Sequence, residues 1–197
     1  MDSKKTTYLP IALIVLALCF RFVSNRFDLD WISSLTPVGA ILLLAGMARK
    51  EQRWMLGVVA IAGIALCDLA INAIVYDGKY GLMADGWWLS YLLFGVMIFA
   101  SGMLPIKNAL AKLGIGALTI SLIYWIFSDM TYLVTIGTDI TTGERLPLNI
   151  KGFSVALVQG FPFARNFFMG TILYSIVFFA IQVLANQTQK KLALSRN

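Results

Sequence analysis

Six apolar segments alternate with short polar connections along the chain, and this pattern predicts an all-α bundle of membrane-spanning helices. The segments cover roughly residues 8–24, 35–48, 54–75, 87–104, 113–136 and 166–185. About 20 helical residues cross the hydrocarbon core of a bilayer, so the second segment is short for a span. We expect it to be shielded by neighbouring helices or extended by residues 31–36. Residues 152–165, which contain Gly160 and Pro162, predict a helix along the membrane surface or a re-entrant cap.

Composition agrees with an integral membrane protein made of one membrane domain, residues 1–197. Hydrophobic residues make up 59% of the chain, the mean hydropathy is +0.79 and only 13% of residues are charged. The chain contains no His, which excludes His-based catalytic triads and zinc sites. Its two cysteines, Cys19 and Cys67, lie inside apolar segments and therefore predict no disulfide framework.

The distribution of charge predicts the orientation of the helices. Six spans place both termini on one side, where ten Lys and Arg residues face two acidic residues, whereas the other side has six of each sign. Excess positive charge marks the cytoplasmic side of a membrane protein. We therefore expect cytoplasmic termini in a multi-pass protein of the bacterial inner membrane. The net charge of +6 reports this topology and does not indicate a nucleic-acid partner.

Two acidic residues inside apolar segments are the strongest functional signal. Asp68 and Asp129 each lie seven residues before the end of a predicted span, so both are expected in the outer half of the membrane. A carboxylate in the membrane costs about 2.5–3.5 kcal/mol on insertion scales and normally faces a partner or a cavity. Other polar and aromatic residues are predicted at the same depth. The candidate substrate-binding residues are Asp68, Asn72, Trp125, Asp129, Tyr132, Arg165 and Asn166.

These residues leave three interpretations open. The first is a small-molecule pocket that opens to the outside, since aromatic walls with a few placed polar groups are typical of such sites. The second is a membrane enzyme that uses Asp68 and Asp129 as an acid/base pair, although no nucleophile, metal cluster or phosphate-binding loop accompanies them. The third is a scaffold without a ligand, in which the two acids pair with Arg21 and Arg165 and stabilise the bundle.

Three segments carry a resemblance to a known class of transporters. They are SLTPVGAILLLAG at residues 34–46, LCDL at residues 66–69 and FPFARNFFMGTILYS at residues 161–175. In this order and spacing they resemble a group of small bacterial membrane proteins that is similar to the substrate-binding S components of energy-coupling factor (ECF) vitamin transporters. The resemblance implies a six-helix bundle that binds and takes up a vitamin or similar small organic solute at an outward-facing pocket.

One departure from that class concerns the first helix. S components that dock on a shared ECF energising module usually carry small residues four apart there, whereas this chain pairs Ala12 with Leu16 and Leu13 with Ala17. The missing pattern argues against docking on such a module and is compatible with a solitary transporter, and both an ECF-type energising module and solitary operation stay open here. The chain also resembles the solitary cobalamin-binding S components, which place a cysteine on the corrinoid cobalt. This resemblance implies cobalamin as a transported ligand, with Cys67 as the cobalt donor and no resident cofactor.

Overall fold

The computed structural model describes residues 5–27, 34–79, 81 and 86–194, and these residues confirm the all-helical prediction. Within them the chain forms six α-helices and no regular strand; Thr138 and Arg145 form an isolated bridge. The helices are α1 (Lys5–Arg26), α2 (Val38–Met47), α3 (Lys50–Ile74), α4 (Trp87–Met103), α5 (Ala109–Thr135) and α6 (Ile150–Leu194).

Four of these helices, α1, α3, α5 and α6, are long and apolar enough to cross a membrane. Many of their large hydrophobic side chains are exposed outside the packed core, among them Leu66, Leu118 and Phe163. An outward-facing apolar surface of this extent is what a lipid environment requires. The chain is therefore a membrane-embedded helical protein.

The short helix α2 is the centre of the bundle. It packs against each of the other five helices, and eight of its ten residues are buried. Since a helix rises 1.5 Å per residue, α2 extends only about 15 Å, half the thickness of the hydrocarbon core. Surrounding helices shield this short segment, as the sequence predicted. Gly46 allows α4 to approach closely, because a Cβ at that position would overlap Ser101 and the carbonyl of Ile98.

A pair of glycine variants tests this packing. We expect Gly46→Ala to destabilise the protein by about 1–3 kcal/mol, since the added methyl group meets backbone that cannot move independently. Gly95→Ala, on α4, is the matched control, because no heavy atom lies within 4 Å of its added Cβ. Alanine has the higher helix propensity, so this variant should gain up to about 1 kcal/mol. Unfolding midpoints in one detergent measure both, and equal midpoints would contradict the close α2–α4 contact.

The last helix differs from the sequence prediction. We expected a span at residues 166–185 preceded by a surface helix or re-entrant cap, but α6 runs without interruption from Ile150 to Leu194. Proline removes one backbone hydrogen bond and often bends a helix, yet membrane helices accommodate it when neighbours compensate. Here the first part of α6 packs along α5, so Gly160 and Pro162 lie within a supported helix rather than at a boundary.

Residues at the two ends of the bundle have different character. Pro10 of α1, Arg49 between α2 and α3, and Asn186 of α6 line one cavity, so the described starts and ends of the chain lie together. We call this the terminal end. Polar side chains of α1, α3 and α4 meet at the opposite end. The structure itself contains no membrane and gives no orientation across one.

Candidate functional site

Asp68 is held by partners on two other helices. One carboxylate oxygen forms an ion pair with Arg21 of α1, and the other accepts a hydrogen bond of 2.8 Å from the hydroxyl group of Tyr91 on α4. The side chains of Arg21 and Asp68 retain 21% and 32% of their exposure. Asp68 thus joins α1, α3 and α4, as the interpretation that pairs it with Arg21 requires.

The two other predicted site residues on α3 also make contacts between elements. The Cys67 thiol is buried and lies 3.6 Å from the carbonyl oxygen of Leu18, to which it donates. The Asn72 amide donates to the carbonyl oxygen of Gly81 in the following connection. Among the described residues no group of three or more His, Cys, Asp or Glu side chains forms a metal site. The role of Cys67 on a cobalt ion stays a prediction.

Asp129 has a different environment from Asp68. Its side chain is buried on α5 against Gly160 of α6, where a Cβ would overlap the carboxylate. One carboxylate oxygen, Oδ2, is buried and has no hydrogen-bond partner in the part of the chain that the structure describes. A buried carboxylate without such a partner loses the hydration that stabilises its charge, and this loss is costly. Asp129 therefore presents one acceptor atom, Oδ2, to which no described residue donates.

Aromatic residues on the same face of α5 border Asp129. The indole nitrogen of Trp125 donates to the carbonyl oxygen of Leu157 at 3.0 Å, and its ring meets that of Phe161 edge-on. The Tyr132 hydroxyl donates to the carbonyl oxygen of Thr138 at 2.9 Å. The structure thus brings Trp125, Asp129 and Tyr132 together on the face of α5 that meets α6 and the connection after α5, as their helical spacing predicted.

The connection between α5 and α6 is an ordered turn over this face. The backbone nitrogen of Asp139 donates to the Glu144 carbonyl at 2.8 Å, and the Gln159 side chain donates to the Asp139 carboxylate at 3.0 Å. Hydrogen bonds from the side chain and backbone of Thr141 hold the pKa of the Asp139 carboxyl below its usual value. Asp139 is accordingly a charged residue that organises the turn.

Arg165 and Asn166 lie further along α6. Arg165 is exposed and forms no ion pair within the described residues, so the alternative in which it neutralises Asp129 is not observed there. Asn166 is half-buried. Neither residue makes a described side-chain contact with Asp129.

The two acidic residues lie on helices that are not principal neighbours. No hydrogen bond or ion pair among the described residues links Asp68 with Asp129, so a directly coupled acid/base pair is not observed. Tyr124 is on α5, five residues before Asp129. Its ring stacks on Phe167 of α6 at a centroid distance of 4.2 Å. Tyr124 is therefore packed at the contact of α5 with α6.

Both acids lie beyond the start of the central helix. The turn at Ala48 and Arg49 reverses the chain direction, so the start of α2 is level with the middle of α3. Asp68 lies about 12 Å further along α3 than this level. Phe167, which stacks on Tyr124, borders Gly39 near that start, and Asp129 lies about 7.5 Å beyond Tyr124. The parts of α1, α3, α4, α5 and α6 that extend beyond the start of α2 therefore carry these polar groups.

Sequence reasoning missed two contributors to this region. Tyr91 sits in an apolar helix, and its pairing with Asp68 depends on how α3 and α4 pack, which local pattern does not reveal. Gly160 was interpreted only as a helix interruption, whereas it provides the space that Asp129 occupies. A small residue in a membrane helix that faces a buried polar residue is a signal for close packing.

Comparison with known proteins identifies a family for nearly the whole chain. Residues 1–193 match the model described as "Family of unknown function (DUF6580)", and the chain belongs to that family. No curated protein and no solved structure matches it significantly.

Proposed function

We propose that this DUF6580 protein binds a small organic solute, of the vitamin class, in the region beyond α2 and takes it up across the membrane. One observation carries the proposal: Asp129 is a buried carboxylate whose Oδ2 atom has no hydrogen-bond partner among the described residues. Intramembrane acids are rare and mark ligand or ion pathways by default. The resemblance to ECF S components supports the same class of function.

The chemistry of the region restricts the solute. A carboxylate accepts hydrogen bonds, so the group that faces Asp129 would be a cation or a hydrogen-bond donor. Tyr124 and Trp125 provide aromatic surface near that carboxylate. A flat heterocycle that carries an amino or protonated nitrogen fits both features, and many vitamins contain one.

The experiment is a ligand screen with matched variants. The purified protein in nanodiscs is heated with each member of a panel of water-soluble vitamins, and its unfolding temperature is recorded. We expect at least one vitamin to stabilise the unmodified protein and Asp77→Asn, and to leave Asp129→Asn unaffected. Asp77 is an exposed turn residue with a positive φ of 50°, which Asn also tolerates. Equal stabilisation of both variants, or none by any vitamin, would remove the basis of the proposal.

Uptake requires the polar region to face the outside, with both termini in the cytoplasm of the bacterium. In a background without Cys19 and Cys67, we expect cysteines placed at Asp77 and Thr141 to react with an impermeant thiol reagent from outside. A cysteine at Gln187 should react only after the cells are opened. All three positions are exposed, so reactivity reports sidedness. Labelling of Gln187 in intact cells would contradict the orientation.

A corrinoid is one specific solute in this proposal, with Cys67 as a donor to its cobalt. Thiolate is a soft ligand suited to transition metals, and metal binding favours its deprotonation. Cobalamin added to the purified protein should then change its corrin absorbance. Cys67→Ala should abolish the change and Cys19→Ala should preserve it, since Cys19 is an exposed thiol on α1. A change in absorbance that persists in Cys67→Ala would contradict a role of Cys67 on cobalt. Its thiol would then have only the contact with the Leu18 carbonyl.

The proposal does not require a shared ECF module. Leu13 and Ala17 of α1 are buried inside the bundle, and Leu16 is exposed. The exposed face of α1 therefore carries the large residue Leu16, whereas S components that dock on a module have small residues four apart on this helix. This arrangement favours solitary operation.

A further inference from the structure

A cavity at the terminal end of the bundle is separate from the region around Asp129. Its volume is about 360 Å³, within the range of about 300–1,000 Å³ that is typical of small-molecule sites. Side chains of α1, α2, α3, α5 and α6 line it. The cavity therefore lies between several helices and not on the surface of one.

The lining of the cavity combines a few polar side chains, Gln52 among them, with a larger apolar surface. Among the described residues of the lining, Arg49 alone carries a charge, and Gln182 and Asn186 of α6 also border the cavity. Arg49 makes no ion pair among the described residues. Leu43, Leu56 and Phe178 are among the apolar residues that line the cavity together with Ser175. A cationic mouth and an apolar body are complementary to an amphipathic anion.

Ser175 adds a second polar group, deeper in the bundle. Its side chain is 94% buried, and its hydroxyl has no hydrogen-bond partner in the described part of the chain. One turn earlier, the Thr171 hydroxyl donates to the carbonyl oxygen of Phe167 at 2.7 Å. Hydroxyl groups in apolar helices usually find a partner in this way, at the carbonyl four residues before. The Ser175 hydroxyl makes no such hydrogen bond. A buried hydroxyl without a partner is costly, and a ligand oxygen at the cavity wall would satisfy it.

We infer that this cavity binds a small amphipathic anion, with its carboxylate or phosphate on Arg49 and a second oxygen at the far end of its apolar body on Ser175. The site differs from the proposed solute site in position and in the sign of its charge, because Arg49 replaces Asp129 as the recognising group. Such an anion has two sources, a soluble acid or an anionic lipid of the same membrane leaflet, and both present the same chemistry.

The experiment measures equilibrium binding of radiolabelled decanoate and ω-hydroxydecanoate to the full chain in nanodiscs of neutral lipid, with empty nanodiscs subtracted. We expect Arg49→Gln to weaken both ligands at least about fivefold, since hydrogen bonds to a charged group are stronger than neutral ones. Lys50→Gln is the matched control, because Lys50 is an adjacent exposed cation outside the lining. The hydroxylated acid should bind more tightly than decanoate, and Ser175→Ala should remove that preference.

Two further arms separate the sources and the sites. In nanodiscs that contain phosphatidylglycerol, weaker decanoate binding would identify anionic lipid as the occupant, and unchanged binding would identify a soluble acid. Asp129→Asn should leave decanoate binding unchanged. A negative result for the anion site would therefore not bear on the proposed solute site. Equal binding to Arg49→Gln and the unmodified protein, or a hydroxyl preference that is absent or persists in Ser175→Ala, would overturn the inference.

Discussion

Asp68→Asn is expected to lower the free energy of unfolding by about 1.5 kcal/mol. The amide removes the negative charge that Arg21 faces and leaves the guanidinium in the bundle without its ion-pair partner. Polar contacts between membrane helices average about 0.6 kcal/mol, whereas breaking a fully buried ion pair costs about 3–5 kcal/mol. The partial exposure of both side chains places this pair between those limits.

Equilibrium unfolding in mixed micelles measures the effect, with Asp77→Asn as the control for the same chemical change in an exposed turn. The triple variant Arg21→Met, Asp68→Leu, Tyr91→Phe should recover most of the lost stability, because apolar residues of similar volume often replace buried ion pairs and their hydrogen-bond partners without cost. Stability of Asp68→Asn equal to that of the Asp77 control would show that the pair contributes nothing to the bundle.

Asp129→Asn should have the opposite effect on stability and the larger effect on binding. Loss of a buried charge that has no partner for Oδ2 among the described residues should raise the unfolding free energy by up to about 1 kcal/mol. The same change removes the acceptor on which solute recognition is proposed to depend. The expected phenotype is a stable protein that no longer responds to its vitamin.

Unfolding in mixed micelles and the vitamin-dependent shift in nanodiscs give the two quantities for one protein preparation. Asp68→Asn, measured in parallel, should retain the vitamin-dependent shift of its unfolding temperature to the extent that the variant is folded. A loss of stability in Asp129→Asn comparable to that in Asp68→Asn would mean that Asp129 supports the fold and would argue against a binding role.

Much of the fold follows from the apolar pattern. Long apolar runs predict α3 and α5 within a few residues, because the bilayer requires a helix of a certain length and every backbone group must be bonded within it. The start of α6 could not be predicted in the same way. Pro162 and Gly160 normally weaken a helix, and only the contact of α6 with α5 shows why the helix continues through them.

The candidate site was predictable in its residue types, but not in its partners. Spacing alone placed Trp125 and Tyr132 on the face of α5 that carries Asp129. Which helices adjoin which depends on packing between distant segments, so the difference between a paired Asp68 and an unpaired Asp129 oxygen emerged only from the structure. The cavity at the terminal end carried no sequence signal, because residues from five helices form it.

Native mass spectrometry of protein extracted directly from its membrane tests the solute-binding proposal most directly. The unmodified protein and Asp77→Asn should each retain a bound small organic molecule, and the same extraction should yield Asp129→Asn without it. Fragmentation of the released species would then identify the solute. An unmodified protein that carries no such molecule, or equal occupancy in Asp129→Asn, would contradict the account.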